Sequence, residues 1–225
     1  MTSMSNNIRH SGQYEPNQHL LWNLPRLPFS YAYLMYCLRD YRSPRDKISR
    51  MIRKKEIIQV KKGLYVLASP FQQLLDPKPL ANLIYGPSYI SLEYALSYWG
   101  LIPEKVYEIT SMTNKRNKTF RTPLGIFSYK YLQNARFFPG ITRITEGESS
   151  FLIATREKAL CDRISLSRGL GKKSVGSFLT EDLRIDSEEI LKMDLLLIKN
   201  ISTAYHHPSV SAFFQWFLKN KEIKK

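Results

Sequence analysis

"SPRDKISRMIRKKEIIQVKKGLYVL", residues 43–67, decides how the amino-terminal part of this chain reads. Ser43 stands at an N-cap position, Pro44 suits the first helical position, and Asp46 puts a carboxylate near the positive helix end. A helix is expected to start here. Ile48, Met51 and Ile52 share one face of it, and Arg50 and Arg53 point the opposite way. Lys47 and Lys54 lie along one flank, Arg45 and Ser49 along the other. "EIIQV" then reads as a strand, "KKG" as a tight turn in which Gly63 tolerates positive φ, and "LYVL" as the returning strand.

Upstream, Leu34, Met35 and Leu38 recur at helical spacing and predict a first helix over Tyr31 to Arg39. Two helices followed directly by a hairpin predict a small winged helix-turn-helix domain. The full expectation is an α+β protein with a polar leader over residues 1–27, in which "LLWNLPRLPF" is the part suited to pack onto the body. The winged helix-turn-helix domain covers 28–70 and a proline-marked linker 71–79. A mixed α/β C-terminal domain follows over 80–221. Within it, Ser91 and Thr155 are candidate helix caps, and a basic loop "TNKRNKTFRTP" separates two strand-like stretches.

Charge narrows the partners. The 225 residues hold 34 Lys and Arg against 19 Asp and Glu, a formal net charge of +15, so a polyanion is the first partner to consider. From Arg39 to Lys62 there are ten cations against three carboxylates, and Ile109 to Thr145 contains no acidic residue. In a winged helix domain, Arg50 and Arg53 are the base-reading candidates. Arg45, Lys47, Lys54, Lys61 and Lys62 suit phosphates, and Ser49 lies on the same DNA-facing surface. Lys115, Arg116, Lys118 and Arg121 form a possible second basic surface, open to three readings: DNA backbone contact, an acidic partner patch, or a solvated loop.

Cys37 and Cys161 belong to no metal-spaced cluster and read as buried thiols of a reducing compartment. With no secretory pattern at the start and no apolar run of membrane-spanning length, a cytoplasmic protein without a membrane partner is expected.

Three stretches carry a resemblance: "IRKKEIIQVKKGLYVL" (52–67), "YISLEYALSYWGLIPE" (89–104) and "FLIATREKALCDRI" (151–164). Their residues and their order resemble the AbiEi-type antitoxins and transcriptional regulators of bacterial toxin-antitoxin systems. The resemblance spans about Phe29 to Leu166. It departs at Glu56, where the group commonly carries glycine before the wing. It implies an N-terminal domain that binds double-stranded operator DNA and represses its own operon; paired half-sites there would favour a dimer or cooperative pair, a state the sequence itself leaves open. It also implies a C-terminal domain with antitoxin activity against a nucleotidyltransferase-like toxin, in the setting of phage defence. Tyr89, Ile90, Ser91, Ala95 and Leu96 match the group's helix entry, and Glu157, Lys158, Ala159, Leu160 and Asp162 match its later helix.

An enzyme is not expected, nor a cofactor or metal. Lys158 and Asp162, at i and i+4, read as a surface ion pair, and Glu157 as a residue favouring a helix N-terminus. His206 and His207 sit beside a turn, and no phosphate-binding, dinucleotide or nucleophile motif is present. Two other readings remain at this stage: a protein-docking module without operator affinity, and a metal-dependent nuclease.

Overall fold

The computed structural model describes residues 16–68, 76–167 and 169–223, and the chain divides into two units between Leu75 and Asp76. Both units mix helices and sheet, so the chain is α+β. Residues 1–15 of the expected leader and 69–75 around the expected linker lie outside the described residues.

The first unit runs α1 (Pro16–Asn23), β1 (Phe29–Ser30), α2 (Tyr31–Cys37), α3 (Pro44–Arg53), β2 (Ile57–Lys61) and β3 (Leu64–Leu67). From Pro16 onward the segment expected as leader carries an element of the first unit. That segment is helical, and Leu21 and Leu24 are buried in one cluster with Phe29, Leu34, Leu38, Ile48, Met51, Ile57, Tyr65 and Leu67. α2 is capped by Ser30, whose side-chain oxygen accepts from the Tyr33 amide, and it ends earlier than expected, at Cys37.

β3 lies between β1 and β2, antiparallel to both, with Phe29 opposite Tyr65 and Ile57 opposite Leu67. Every residue of β3 is buried, so this central strand lacks the alternating exposure of a half-solvated hairpin. The β2–β3 turn holds Gly63 at φ +87°, a conformation that favours glycine.

The second unit contains a six-stranded sheet in the order β6-β7-β5-β4-β9-β8. Its strands are β4 (Ser88–Ile90), β5 (Ile109–Thr113), β6 (Lys118–Thr122), β7 (Gly125–Tyr131), β8 (Ile141–Glu146) and β9 (Ser149–Ala154). β5 and β7 are parallel, as are β4 and β9, and the other neighbours are antiparallel. β6 occupies part of the basic stretch expected to be a loop. Its Lys118–Thr122 segment pairs with β7 along the sheet edge.

The helices are α4 (Lys78–Ile84), α5 (Leu92–Tyr98), α6 (Asn134–Phe137), α7 (Arg156–Leu166), α8 (Val175–Ser177), α9 (Ser187–Leu191), α10 (Leu195–Tyr205) and α11 (Pro208–Ile223), with a π-helical turn over Phe178–Asp182. Ser91 occupies the N-cap position of α5 but makes no capping bond, whereas Thr155 caps α7 by accepting from the Lys158 amide. α7 packs against α5, α10, α11 and β9, which places it at the centre of this unit's core. No helix among the described residues is long and apolar enough to cross a membrane.

Candidate nucleic-acid interface

The amphipathic pattern of α3 is realised in space. Ile48 and Met51 are buried in the first unit's core, while Arg45, Ser49, Arg50 and Arg53 are exposed, as is Lys54 just after the helix. Pro44 begins the helix and Asp46 lies in its first turn, but Ser43 makes no side-chain capping bond. The Ser49 hydroxyl donates to the Arg45 carbonyl at 3.1 Å, so it is back-bonded to its own helix.

Lys47 corrects the expected wheel. It is buried, with its ammonium 5.5 Å from the Tyr41 ring centroid, because the chain entering the helix covers that flank. Lys47 therefore does not share the solvent-facing surface of Arg50 and Arg53.

The helix exit is also specific. The Glu56 amide donates to the Met51 carbonyl at 2.9 Å and the Lys55 amide to the Ile52 carbonyl at 3.0 Å, the bond pair of a Schellman C-cap. Lys55 takes the left-handed position of that motif at φ +54°. Beyond it, Lys62 is exposed at the hairpin turn and Lys61 is half-buried.

Arg50 and Arg53 are separated by about 4.5 Å of helical rise, comparable with the ~3.4 Å spacing of stacked base pairs. A guanidinium presents a planar fork of donors suited to guanine edges or phosphate oxygens. This arrangement can contact successive steps of a duplex.

The second basic surface divides into two parts. Lys115, Arg116, Lys118 and Arg121 are all exposed. The Lys115 and Lys118 ammonium groups lie 5.4 and 5.6 Å from the Tyr85 ring centroid, and Lys118 lies 4.9 Å from that of Phe120. Arg121 follows Phe120 and so projects from the opposite face of β6. Beside Tyr85, an open depression of about 800 Å³ is lined by Asn114, Lys115, Arg116, Asn117 and Tyr131.

The expected surface pair of Lys158 and Asp162 is instead fully buried, because α7 is a central helix. The Lys158 ammonium lies 3.4 Å from Asp162 Oδ1 and donates to the Arg136 carbonyl at 2.5 Å and the Tyr205 hydroxyl at 2.8 Å. Asp162 Oδ2 accepts from the Tyr89 hydroxyl at 3.0 Å and the Ser91 hydroxyl at 2.6 Å, and Oδ1 accepts from the Tyr205 hydroxyl. Burial pulls the Lys158 ammonium below its ordinary pKa, with the Asp162 charge opposing. Burial and then the Asp162 charge push the Tyr89 and Tyr205 phenols up.

Gly140 makes room for this cluster. At φ +81°, a Cβ there would stand 2.8 Å from Lys158 Cβ and 3.0 Å from Ile201 Cδ1. Glu157 is buried as well, and its Oε1 accepts from the Asp194 amide at 3.1 Å, tying α7 to the start of α10.

Sequence reasoning missed Tyr205, which stands beside the "HHP" turn, 43 residues from its partner Asp162. Tyr89, Ser91, Lys158 and Asp162 were signalled only as separate motif matches. A buried ion pair closed by hydroxyl donors holds helices together, and its lack of exposure gives a dissolved substrate no access. Among the described residues no three His, Cys, Asp or Glu side chains are grouped so as to hold a metal ion. No protein-family model matches the chain, and no curated protein matches it.

Proposed function

We propose that this chain is a cytoplasmic, duplex-DNA-binding repressor whose first unit is a winged helix-turn-helix domain, with α3 as the reading helix and the β2–β3 hairpin as the wing. The outward arginine face of α3, on a helix anchored by Ile48 and Met51, is the observation that carries this reading. Arg50 and Arg53 read bases, while Arg45, Lys54 and Lys62 meet phosphates. Ser49 and Lys61 have secondary roles at most, and Lys47 is left out because it is buried. Repression follows from occupancy of the operator and needs no catalytic step. A dimer or cooperative pair would occupy paired half-sites.

The antitoxin role, with a nucleotidyltransferase-like toxin as partner, is the second part of the proposal and rests on the AbiEi resemblance. Tyr89, Ser91, Lys158 and Asp162, which carry much of that resemblance, are core residues. They favour a shared C-terminal architecture, and direct toxin contact would have to use other residues.

Retardation of a fragment from upstream of the chain's own gene, against a scrambled fragment, tests the DNA reading. Each good base contact contributes about 1–3 kcal/mol of discrimination, so Arg50→Ala/Arg53→Ala should erase most of the operator preference. Lys62→Ala should weaken both fragments alike and reduce the salt slope by about 0.9. Unchanged preference in the double variant rejects α3 as the reader. Co-expression with a neighbouring nucleotidyltransferase-like gene tests the antitoxin role by recovery of growth.

A further inference from the structure

We infer that the depression beside Tyr85 in the second unit binds unpaired nucleotides of single-stranded nucleic acid, a site separate from the duplex reader of α3. Its volume of about 800 Å³ falls within the range of roughly 300–1,000 Å³ typical of small-ligand sites. Its lining combines two tyrosines, two cations and two amides, with no carboxylate. Each class matches a part of a nucleotide.

Tyr131 supplies the stacking surface. It lies at the end of β7 and is 54% exposed, a large aromatic area for water to cover. Its backbone amide donates to Asn117 Oδ1 at 2.6 Å, which turns the Asn117 carbonyl inward and leaves its amino group to meet a base edge or phosphate. Tyr85 has a different task. Its ring packs edge-on against Tyr129 with centroids 5.3 Å apart, while Lys115 and Lys118 gather about it. The Lys115 ammonium also donates to the Gly86 carbonyl at 2.5 Å, so this cation is held at the rim rather than swinging freely. Arg116 adds a second exposed cation.

Aromatic faces alternating with cations favour single strands, whose bases can leave their neighbours and lie on a ring. In a duplex both base faces are already stacked, and Tyr131 would find only phosphates and sugar. The absence of any acidic residue from Ile109 to Thr145 favours a polyanion over an acidic protein only in part, because both are negative. Tyr131 separates them.

The test is fluorescence anisotropy of the full chain with labelled 12-nucleotide oligo-U RNA, oligo-dT and a 12-base-pair duplex of unrelated sequence, across a salt series. Duplex binding, to which the α3 face contributes, should not depend on Tyr131, whereas that of the single strands should. Tyr131→Ala should weaken them about tenfold with an unchanged salt slope. Lys115→Ala/Arg116→Ala should lower the slope by roughly 1.4, two phosphate contacts at about 0.7 each. Both variants change exposed residues, and circular dichroism checks that they fold. A preference for oligo-U assigns the site to RNA, and parity with oligo-dT assigns it to single strands of either kind. Either result supports the inference. No loss of single-strand affinity with Tyr131→Ala, an equal loss of duplex affinity with it, or full competition by an oligo-glutamate peptide of equal charge would overturn it. Arg50→Ala/Arg53→Ala should leave single-strand binding intact, so this site and the operator reader can fail independently.

Discussion

Replacing Asp162 by alanine removes the acceptor shared by Tyr89, Ser91 and Tyr205 and the counter-charge of Lys158, all within the core. Breaking one side of a buried ion pair costs about 3–5 kcal/mol. The Tyr89 and Ser91 hydroxyls lose their acceptor too, and a buried unsatisfied group costs about 1–3 kcal/mol. Partial relief is available, because burial already lowers the Lys158 pKa and a neutral amine can keep its bonds to Arg136 and Tyr205. A loss of about 4 kcal/mol is therefore expected, a large part of the ~5–15 kcal/mol that stabilises a domain. Lys158→Met should cost less, about 3 kcal/mol, the low end of the same range, since the carboxylate keeps its three hydroxyl donors. Urea unfolding in a Trp22→Phe background reads the second unit through Trp99 and Trp216. Asp162→Ala costing less than Lys158→Met, or less than about 1 kcal/mol, would refute the view that the carboxylate organises the cluster.

Two further perturbations probe other parts of the molecule. Lys55→Gly relieves a side chain at φ +54° in the C-cap of α3 and should stabilise the first unit by roughly 0.5–1 kcal/mol; a lower urea midpoint than wild type would count against that geometry. In alkali, burial holds the Cys161 thiol above its ordinary 9.0 and the Tyr89, Tyr129 and Tyr205 phenols above 10.0. The unfolded chain therefore releases these protons first, and stability present below pH 9 is lost as pH rises, by up to about 1.4 kcal/mol per pH unit for each group. Lys158, lowered from 10.5, gives the opposite slope, one group against four. The urea midpoint should fall from pH 9 to pH 11, and Cys161→Ala should remove the earliest part of the fall; a flat or rising profile contradicts this sign.

Local signals were the legible ones. Pro44 and the apolar spacing of Ile48 and Met51 marked α3, Gly63 marked the hairpin turn, and Thr155 marked the start of α7. What depends on depth was not. An i,i+4 pair such as Lys158 and Asp162 has the same spacing on a surface or in a core, and only the packing of α5, α10 and α11 around α7 decides between them. Lys47 is a similar case, since Tyr41 covers it from the segment before the helix. β6 escaped notice because its cations resemble a solvated loop, yet an edge strand has one row of backbone groups open to water and tolerates lysine there. α1 escaped because its apolar residues are few and follow a polar stretch.

The pairing of Ile90 in β4 with Ile153 in β9 has a bearing on how the chain matures. Among the described residues, the buried amino-terminal cluster runs from Leu21 to Leu67, so its partners leave the ribosome close together in time. The larger sheet cannot close at its middle until Ala154 has emerged, and Asp162 then waits for Tyr205 before its oxygens are shared out. Distant pairings are slow to form and leave apolar strands uncovered meanwhile. A ribosome stalled between these two points would present a finished small unit tethered to a sticky, half-made one, the state most in need of a chaperone.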